Sequence, residues 1–128
     1  MPCKDDGMID HIALQVRDLA ASALFYDAVL APLGGQRTKT FGENIGYGTT
    51  GHNLWLVPAT EDTPARELHL AFTAADRAAV EAFHAAAVAA GAESLHAPRV
   101  WPEYHASYYG AFVRDPDGNN VEAVCHTS

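Results

Sequence analysis

The chain repeats its own pattern, and this internal repeat limits the possible folds more than any other feature. A shift of the sequence along itself that places His11 over His69 aligns DHIALQVRD with LHLAFTAAD. A longer shift that places Trp55 over Glu122 aligns GHNLWLV with GNNVEAV. Because one half alone cannot close a core, we expect two copies of one unit to pack together.

The order of predicted elements is the same in both halves. Ile9–Val16 alternates as a strand, Asp18 caps a helix that ends near Leu33, and three short strands follow within residues 36–59. The second half repeats this order from the strand Glu67–Phe72 onward. The sequence therefore predicts an α+β fold of two tandem βαβββ modules that form a curved mixed sheet around a cleft.

The two halves differ in length and in their second elements. The shift that aligns Trp55 with Glu122 exceeds the shift that aligns His11 with His69 by nine positions. The second copy therefore contains an insertion of this length, in or near WPEYHASYY. The second helix, Asp76–Ala90, is rich in alanine. Its helical spacing predicts one buried face, made of Val80, Phe83, Ala87 and Val88.

These patterns predict one domain. We expect a flexible leader over 1–7 and a single domain over 8–128. That domain divides into a first module at 8–60, a connector at 61–66 and a second module at 67–126. A total of 128 residues, 48% of them hydrophobic, is enough for one core but too little for two domains.

The charge and the start of the chain exclude several functions. A formal net charge of −8 disfavours a phosphate backbone or an anionic membrane surface, so neither nucleic acid nor membrane is an expected partner. There is no pattern of a signal peptide, which predicts a cytoplasmic protein. Cys3 and Cys125 form no CxxC pair, and we assign them no chemistry. A small-molecule substrate is the expected ligand.

The aligned positions of the repeat contain metal-binding residue types. In a two-sheet arrangement the repeat brings His11, His69, Trp55 and Glu122 towards the pseudo-twofold axis, and three of the four are good ligands. Neutral imidazoles and a carboxylate suit borderline divalent ions. Two histidines and one carboxylate also leave positions open for a substrate. We therefore expect one divalent ion, of iron, manganese, zinc or nickel, held by His11, His69 and Glu122.

The sequence resembles the vicinal-oxygen-chelate superfamily of glyoxalases, bleomycin resistance proteins and extradiol dioxygenases. The resemblance extends from about Met8 to His126 and is carried by DHIALQVRDLAASALFYDAVLAPLG, by ELHLAF and by DPDGNNVEAV. It implies ligands in the first and last strands of the copies, at His11, His69 and Glu122. It also implies a homodimer and a substrate that chelates the metal through neighbouring oxygens, in a dioxygenase-like or lyase-like reaction.

Two positions depart from the enzymes of that superfamily. The lyases have a glutamate at the place of Trp55, and tryptophan can neither bind the metal nor transfer a proton. The extradiol dioxygenases have a tyrosine ten residues before the glutamate, where this chain has Phe112. The alternative function is a metal-free protein that binds and sequesters a small molecule, as in bleomycin resistance. The three matched ligands favour the enzyme.

The aromatic segment before the last strands supplies the other candidates. We predict His105 and then Tyr109 as catalytic proton carriers, because an imidazole titrates close to neutral pH. The residues expected to line the substrate cleft are aromatic: Trp55, Tyr104, Tyr108 and Phe112.

Overall fold

The structure, a computed structural model, describes residues 8–128. The predicted leader at 1–7 and Cys3 lie outside the described residues. In chain order the elements are β1 (Ile12–Val16), α1 (Leu19–Leu30), a 3-10 turn (Ala31–Leu33), β2 (Gln36–Phe41), β3 (Asn44–Gly48), β4 (Leu54–Pro58), β5 (His69–Thr73), α2 (Arg77–Ala89), β6 (Ser94–Val100), β7 (Tyr109–Arg114) and β8 (Asn120–Cys125). The predicted order of two βαβββ units is confirmed.

Each unit forms its own four-stranded mixed sheet. The strand order is β1-β4-β3-β2 in the first sheet and β5-β8-β7-β6 in the second. The pairs β1/β4 and β5/β8 are parallel, whereas the other neighbours are antiparallel. The first strand of each unit, β1 or β5, therefore stands at an edge of its sheet.

The strand registers confirm the equivalences that the repeat predicts. Ala13 lies opposite Trp55 in the first sheet, and Ala71 lies opposite Glu122 in the second. His11 and His69 each lie two residues before these alanines, so they are also equivalent. Trp55 and Glu122 therefore occupy the same place in the two sheets.

The helix starts are equivalent in the same way as the two histidines. The Asp18 side chain accepts a hydrogen bond from the backbone N–H of Ala21, and the Asp76 side chain accepts one from that of Ala79. An aspartate at this position satisfies one of the donors that the first turn of a helix leaves free. Both helices thus begin in the same way.

One hydrophobic core serves both units. It contains residues from both sheets and both helices, among them Leu14, Leu56, Tyr26, Phe83 and Val121. Successive side chains of a strand point to opposite faces, so strand residues one position away from this core lie on the outer face of their sheet. His11 and Trp55 share the outer face of the first sheet, and His69 and Glu122 share that of the second.

The turn DPDGNN before β8 joins the two units. The buried Asp115 carboxylate accepts a hydrogen bond from the Tyr26 hydroxyl at 2.7 Å. Asp117 accepts hydrogen bonds from the backbone N–H and guanidinium of Arg17 and from the Ser22 hydroxyl. Gly118 adopts a φ of 86°, which favours glycine. Asp, Pro, Gly and Asn are typical turn residues, and in the structure the turn that they form also holds α1.

Two details of the elements differ from the prediction. The first helix changes to a 3-10 turn at Ala31, where Pro32 interrupts the α-helical hydrogen bonding. On α2, Val80, Phe83 and Ala87 are buried as predicted, but Val88 is 50% exposed and its predicted burial is wrong.

No helix within residues 8–128 is long and apolar enough to span a membrane.

Candidate metal centre

His69 and Glu122 form the centre of the outer face of the second sheet. Parallel pairing of β5 with β8 brings them together, and His69 Nε2 lies 3.2 Å from Glu122 Oε1. The Glu122 side chain is only 2% exposed, whereas that of His69 is 52% exposed. The face therefore combines a buried carboxylate with an imidazole that solvent can reach.

The hydrogen bond at the other ring nitrogen decides how His69 can act. Its Nδ1 lies 3.1 Å from the backbone carbonyl of Asn120, and a carbonyl only accepts, so Nδ1 carries the proton of the neutral ring. The lone pair on Nε2 then points at the lone pairs of Glu122 Oε1. A cation between these two atoms, either a proton or a metal ion, converts this repulsion into attraction.

The distance between the two atoms suits a metal ion. Two ligands that each lie about 2.1 Å from one ion are roughly 3.0 Å apart at a right angle and about 3.4 Å apart at the tetrahedral angle. The observed separation of 3.2 Å falls between these values. His69 and Glu122 therefore fit two neighbouring ligand positions of one divalent ion.

Tyr108 holds the second oxygen of the same carboxylate. Its hydroxyl donates a hydrogen bond to Glu122 Oε2. Burial first, and then the hydrogen bond and the charge of Glu122, raise the pKa of the Tyr108 phenol well above its usual value. The phenol is consequently protonated at neutral pH and acts as a donor.

Aromatic rings form the wall beside this carboxylate. Phe112 stacks on His69 with ring centroids 6.0 Å apart, and Trp101 packs edge-on against Phe112 at 5.1 Å. Tyr104, 60% exposed, stacks on Trp101. His96 packs against both Trp101 and Phe112. Trp101 and Phe112 are each only 7% exposed, so Tyr104 is the ring of this wall that a ligand from solvent can contact.

A pair of histidines packs against Tyr108 from the solvent side. His105 Nε2 and His126 Nδ1 share a hydrogen bond of 2.9 Å. The two imidazoles lie edge-on to the Tyr108 ring, at 5.5 and 5.3 Å between centroids. The predicted proton carrier His105 therefore lies at the edge of the centre.

Tyr109, the other predicted proton carrier, lies on the opposite side of β7. Its hydroxyl donates to Glu81 of α2, and the guanidinium of Arg77 lies over its ring. Burial first, and then the contact with Glu81, raise the pKa of this phenol. The structure does not bring Tyr109 to the face that carries Glu122.

The outer face of the first sheet holds the other half of the predicted site. His11 and Trp55 line a cavity of about 300 Å³ together with Lys39, Phe41 and Val57. The Trp55 ring lies flat over Gly46, where a Cβ atom would come within 3.0 Å of it. The cavity thus presents an aromatic floor beside an imidazole.

His11 is oriented in the same way as His69. Its Nδ1 lies 2.7 Å from the Asp10 carboxylate, which leaves Nε2 open. Such a partner on the second nitrogen is common for metal-binding histidines. No group of three or more His, Cys, Asp or Glu within the described range 8–128 is arranged to hold a metal ion. A single chain therefore brings His69 and Glu122 together but does not add His11 to them.

Sequence reasoning missed three residues of this region. His96 and His126 are not among the predicted site residues, yet they contact the aromatic wall and Tyr108. Gly110 was given no role, although a Cβ atom there would lie 3.2 Å from Glu122 Oε2. Only the strand alternation pointed to Gly110, because it places this residue on the same face of β7 as Phe112.

The family model described as Glyoxalase/Bleomycin resistance protein/Dioxygenase superfamily matches residues 8–123. The comparison with curated proteins finds no match.

Solved structures share the fold over nearly the whole chain. A glyoxalase/bleomycin resistance protein from Albidiferax ferrireducens T118 is 29% identical, with a TM-score of 0.83, and the alignment covers 93% of this chain and 99% of that one. A glyoxalase-related enzyme from Fulvimarina pelagi is 25% identical, with a TM-score of 0.71 and coverages of 92% and 87%. A lactoylglutathione lyase from Agrobacterium tumefaciens is 24% identical, with a TM-score of 0.66 and coverages of 94% and 94%.

Proposed function

The chain belongs to the glyoxalase/bleomycin resistance protein/dioxygenase superfamily, and we propose that it is a divalent-metal-dependent enzyme whose substrate chelates the metal through neighbouring oxygen atoms. The observation that carries this proposal is the pair of atoms His69 Nε2 and Glu122 Oε1, 3.2 Å apart. A divalent ion between the buried carboxylate and the imidazole lone pair would satisfy both groups.

The third ligand in this proposal is His11 of a second copy of the chain. The outer faces of the two sheets both lie opposite the shared core, so His11 of one copy approaches His69 and Glu122 only when another copy supplies it. β1 and β5 are edge strands whose backbone groups are open to pairing. Large apolar side chains stand exposed just before them, at Met8, Ile9 and Leu68. A homodimer that joins these edges buries the apolar residues and completes two equivalent sites.

The side chains around the pair have separate tasks in this proposal. When bound, the divalent ion acts as a Lewis acid that stabilises negative charge on adjacent substrate oxygens. Tyr104, and Trp55 beside His11 of the second copy, bind the organic part of the substrate by apolar contact, and the buried Phe112 supports this wall. His105 carries the proton between substrate and solvent, because it is exposed and packs against Tyr108.

The proposed site is compatible with two reaction types. The exposed ring of Tyr104, which stacks on Trp101, favours a dioxygenase-like reaction on a ring-containing substrate. A lyase-like reaction needs a proton-transfer base, and His105 takes this role because Trp55 cannot.

Calorimetric titration of the metal-free protein with Fe²⁺, Mn²⁺, Ni²⁺ and Zn²⁺ tests the proposal. We expect one of these ions to bind at one equivalent per chain. The His69→Ala variant should lose this binding, because it removes one ligand. His84→Ala is the matched control, since His84 lies on α2 and bonds to Ser94. Wild-type protein that binds none of the four ions would contradict the enzyme and favour the metal-free binding protein.

A further inference from the structure

The insertion in the second unit forms a closed loop next to the candidate metal centre. The loop runs from Trp101 to Tyr108 between β6 and β7. The backbone N–H of Trp101 donates to the carbonyl of Tyr108 at 2.8 Å, and the N–H of Tyr108 donates to the carbonyl of His105. The Trp101 indole N–H also donates to the carbonyl of Gly110. These bonds fix where the loop places Tyr108.

The loop places the Tyr108 hydroxyl on one oxygen of Glu122. That hydroxyl donates to Oε2, while Oε1 faces His69. Gly110 makes room for this contact, since a Cβ atom there would lie 3.2 Å from Oε2 and 3.3 Å from Tyr108 Cε1. The two oxygens of one buried carboxylate therefore have different environments.

Three further rings keep Tyr108 in this position. Tyr104 packs against it at 4.8 Å between centroids, and His105 and His126 pack edge-on from the solvent side. His126 lies beyond the end of β8, so the chain after that strand also supports the loop. A phenol packed on several sides loses little entropy when it forms its hydrogen bond.

We propose that Tyr108 is a positioning residue that occupies Glu122 Oε2 and so presents Glu122 to the metal ion through Oε1 alone. This inference rests on the proposed function, because it concerns how one ligand binds the proposed ion. A carboxylate that binds through both oxygens takes two positions on the ion, whereas a carboxylate that binds through one takes a single position. The loop thereby leaves an additional position open for substrate.

The first unit supports this interpretation by contrast. Its β2 and β3 are joined by the short turn 42–43 instead of a loop, and its residue equivalent to Glu122 is Trp55, which lies over Gly46. Within the part of the chain that the structure describes, the unit that has the carboxylate at this position therefore also has the loop, and the unit that has tryptophan there does not.

The Tyr108→Phe variant tests the inference with Mn²⁺ as the probe. It removes only the hydroxyl, so Oε2 becomes free to bind the ion as well. With three ligand atoms on a six-coordinate ion, about three positions are open to water, and a second oxygen from Glu122 reduces them to about two. We therefore expect the water-proton relaxation enhancement of protein-bound Mn²⁺ to fall by about one third. Tyr109→Phe, which removes the neighbouring phenol on the opposite face, should leave the enhancement at the wild-type value.

The outcomes separate this inference from the proposed function. A fall in Tyr108→Phe with no change in Tyr109→Phe supports the positioning role. Wild-type enhancement in Tyr108→Phe with Mn²⁺ still bound overturns that role and leaves the metal-dependent enzyme intact. Wild-type protein that binds no Mn²⁺ contradicts the inference, and the other three ions in the calorimetric titration then decide the proposed function.

Discussion

Replacing Glu122 with glutamine should weaken metal binding by about a hundredfold or more and leave the fold intact. The amide keeps the size of the side chain and can still accept the hydrogen bond from Tyr108, so the packing of β8 is preserved. It loses the negative charge that faces His69. Because the loss of an outer-shell partner already costs roughly 10- to 100-fold in affinity, the loss of a ligand should cost more. Calorimetry measures the affinity, and circular dichroism checks the fold.

Glu81→Gln is the matched control for this prediction. Glu81 lies on α2 and bonds to the Tyr109 hydroxyl on the side of β7 that faces away from Glu122. We expect wild-type metal affinity in this variant. Equal affinities of Glu122→Gln and Glu81→Gln would remove Glu122 from the set of ligands.

Replacing Asp115 with alanine should lower the free energy of unfolding by at least about 3 kcal/mol, because several buried donors lose their acceptor together. The carboxylate accepts hydrogen bonds from the Tyr26 hydroxyl, the Asn119 side-chain amide and the backbone N–H groups of Asp117 and Asn119. Each buried donor left without a partner costs about 1 to 3 kcal/mol. Urea denaturation followed by fluorescence measures the change.

Two further variants control for this loss. Tyr26→Phe removes one of these hydrogen bonds and should cost about 0.5 to 1.5 kcal/mol. Asp62→Ala, in the exposed connector, should change the free energy of unfolding by less than about 0.5 kcal/mol. If Asp115→Ala were no less stable than Asp62→Ala, the turn before β8 would not contribute to holding the two units together.

The repeat made the fold predictable from the sequence. Its two shifts predicted the order of the elements and the equivalence of Trp55 and Glu122, which the strand registers confirm. The alternation along the strands then predicts which side chains point away from the core. The repeat and the alternation are both visible in the order of residue types, so a single sequence contains them.

The arrangement of the two units was less predictable. The repeat shows that His11 and His69 are equivalent, but equivalent positions can face each other or face apart. Contacts between residues far apart in the sequence, such as Tyr26 with Asp115, decide how the two units face each other. No pattern in either half predicts these contacts. The exposure of Val88 has the same origin, since helical spacing marks a broad apolar face and the neighbouring elements cover only part of it.

The contacts of the inserted loop could not be predicted from the sequence either. The segment from Trp101 to Tyr109 contains three tyrosines and one histidine, and their composition does not show which of them face the cleft. Hydrogen bonds across the loop place Tyr108 on Glu122, whereas strand alternation sends Tyr109 towards α2. The adjacent residues Tyr108 and Tyr109 therefore lie on opposite faces of the sheet.

Metal analysis of a mixed dimer tests the central claim most directly, namely that His11 of one copy completes the site of the other. One chain carries His11→Ala, the second carries Glu122→Gln, and two different affinity tags isolate the dimer that contains both. At a metal concentration that saturates the wild type but not a site weakened by the loss of one ligand, each variant alone should contain no bound ion. The mixed dimer should bind one ion, about half of the wild-type content, because it contains one complete set of His11, His69 and Glu122 shared between the copies. A mixed dimer without bound metal, beside a wild-type dimer that binds two ions, would contradict the shared site.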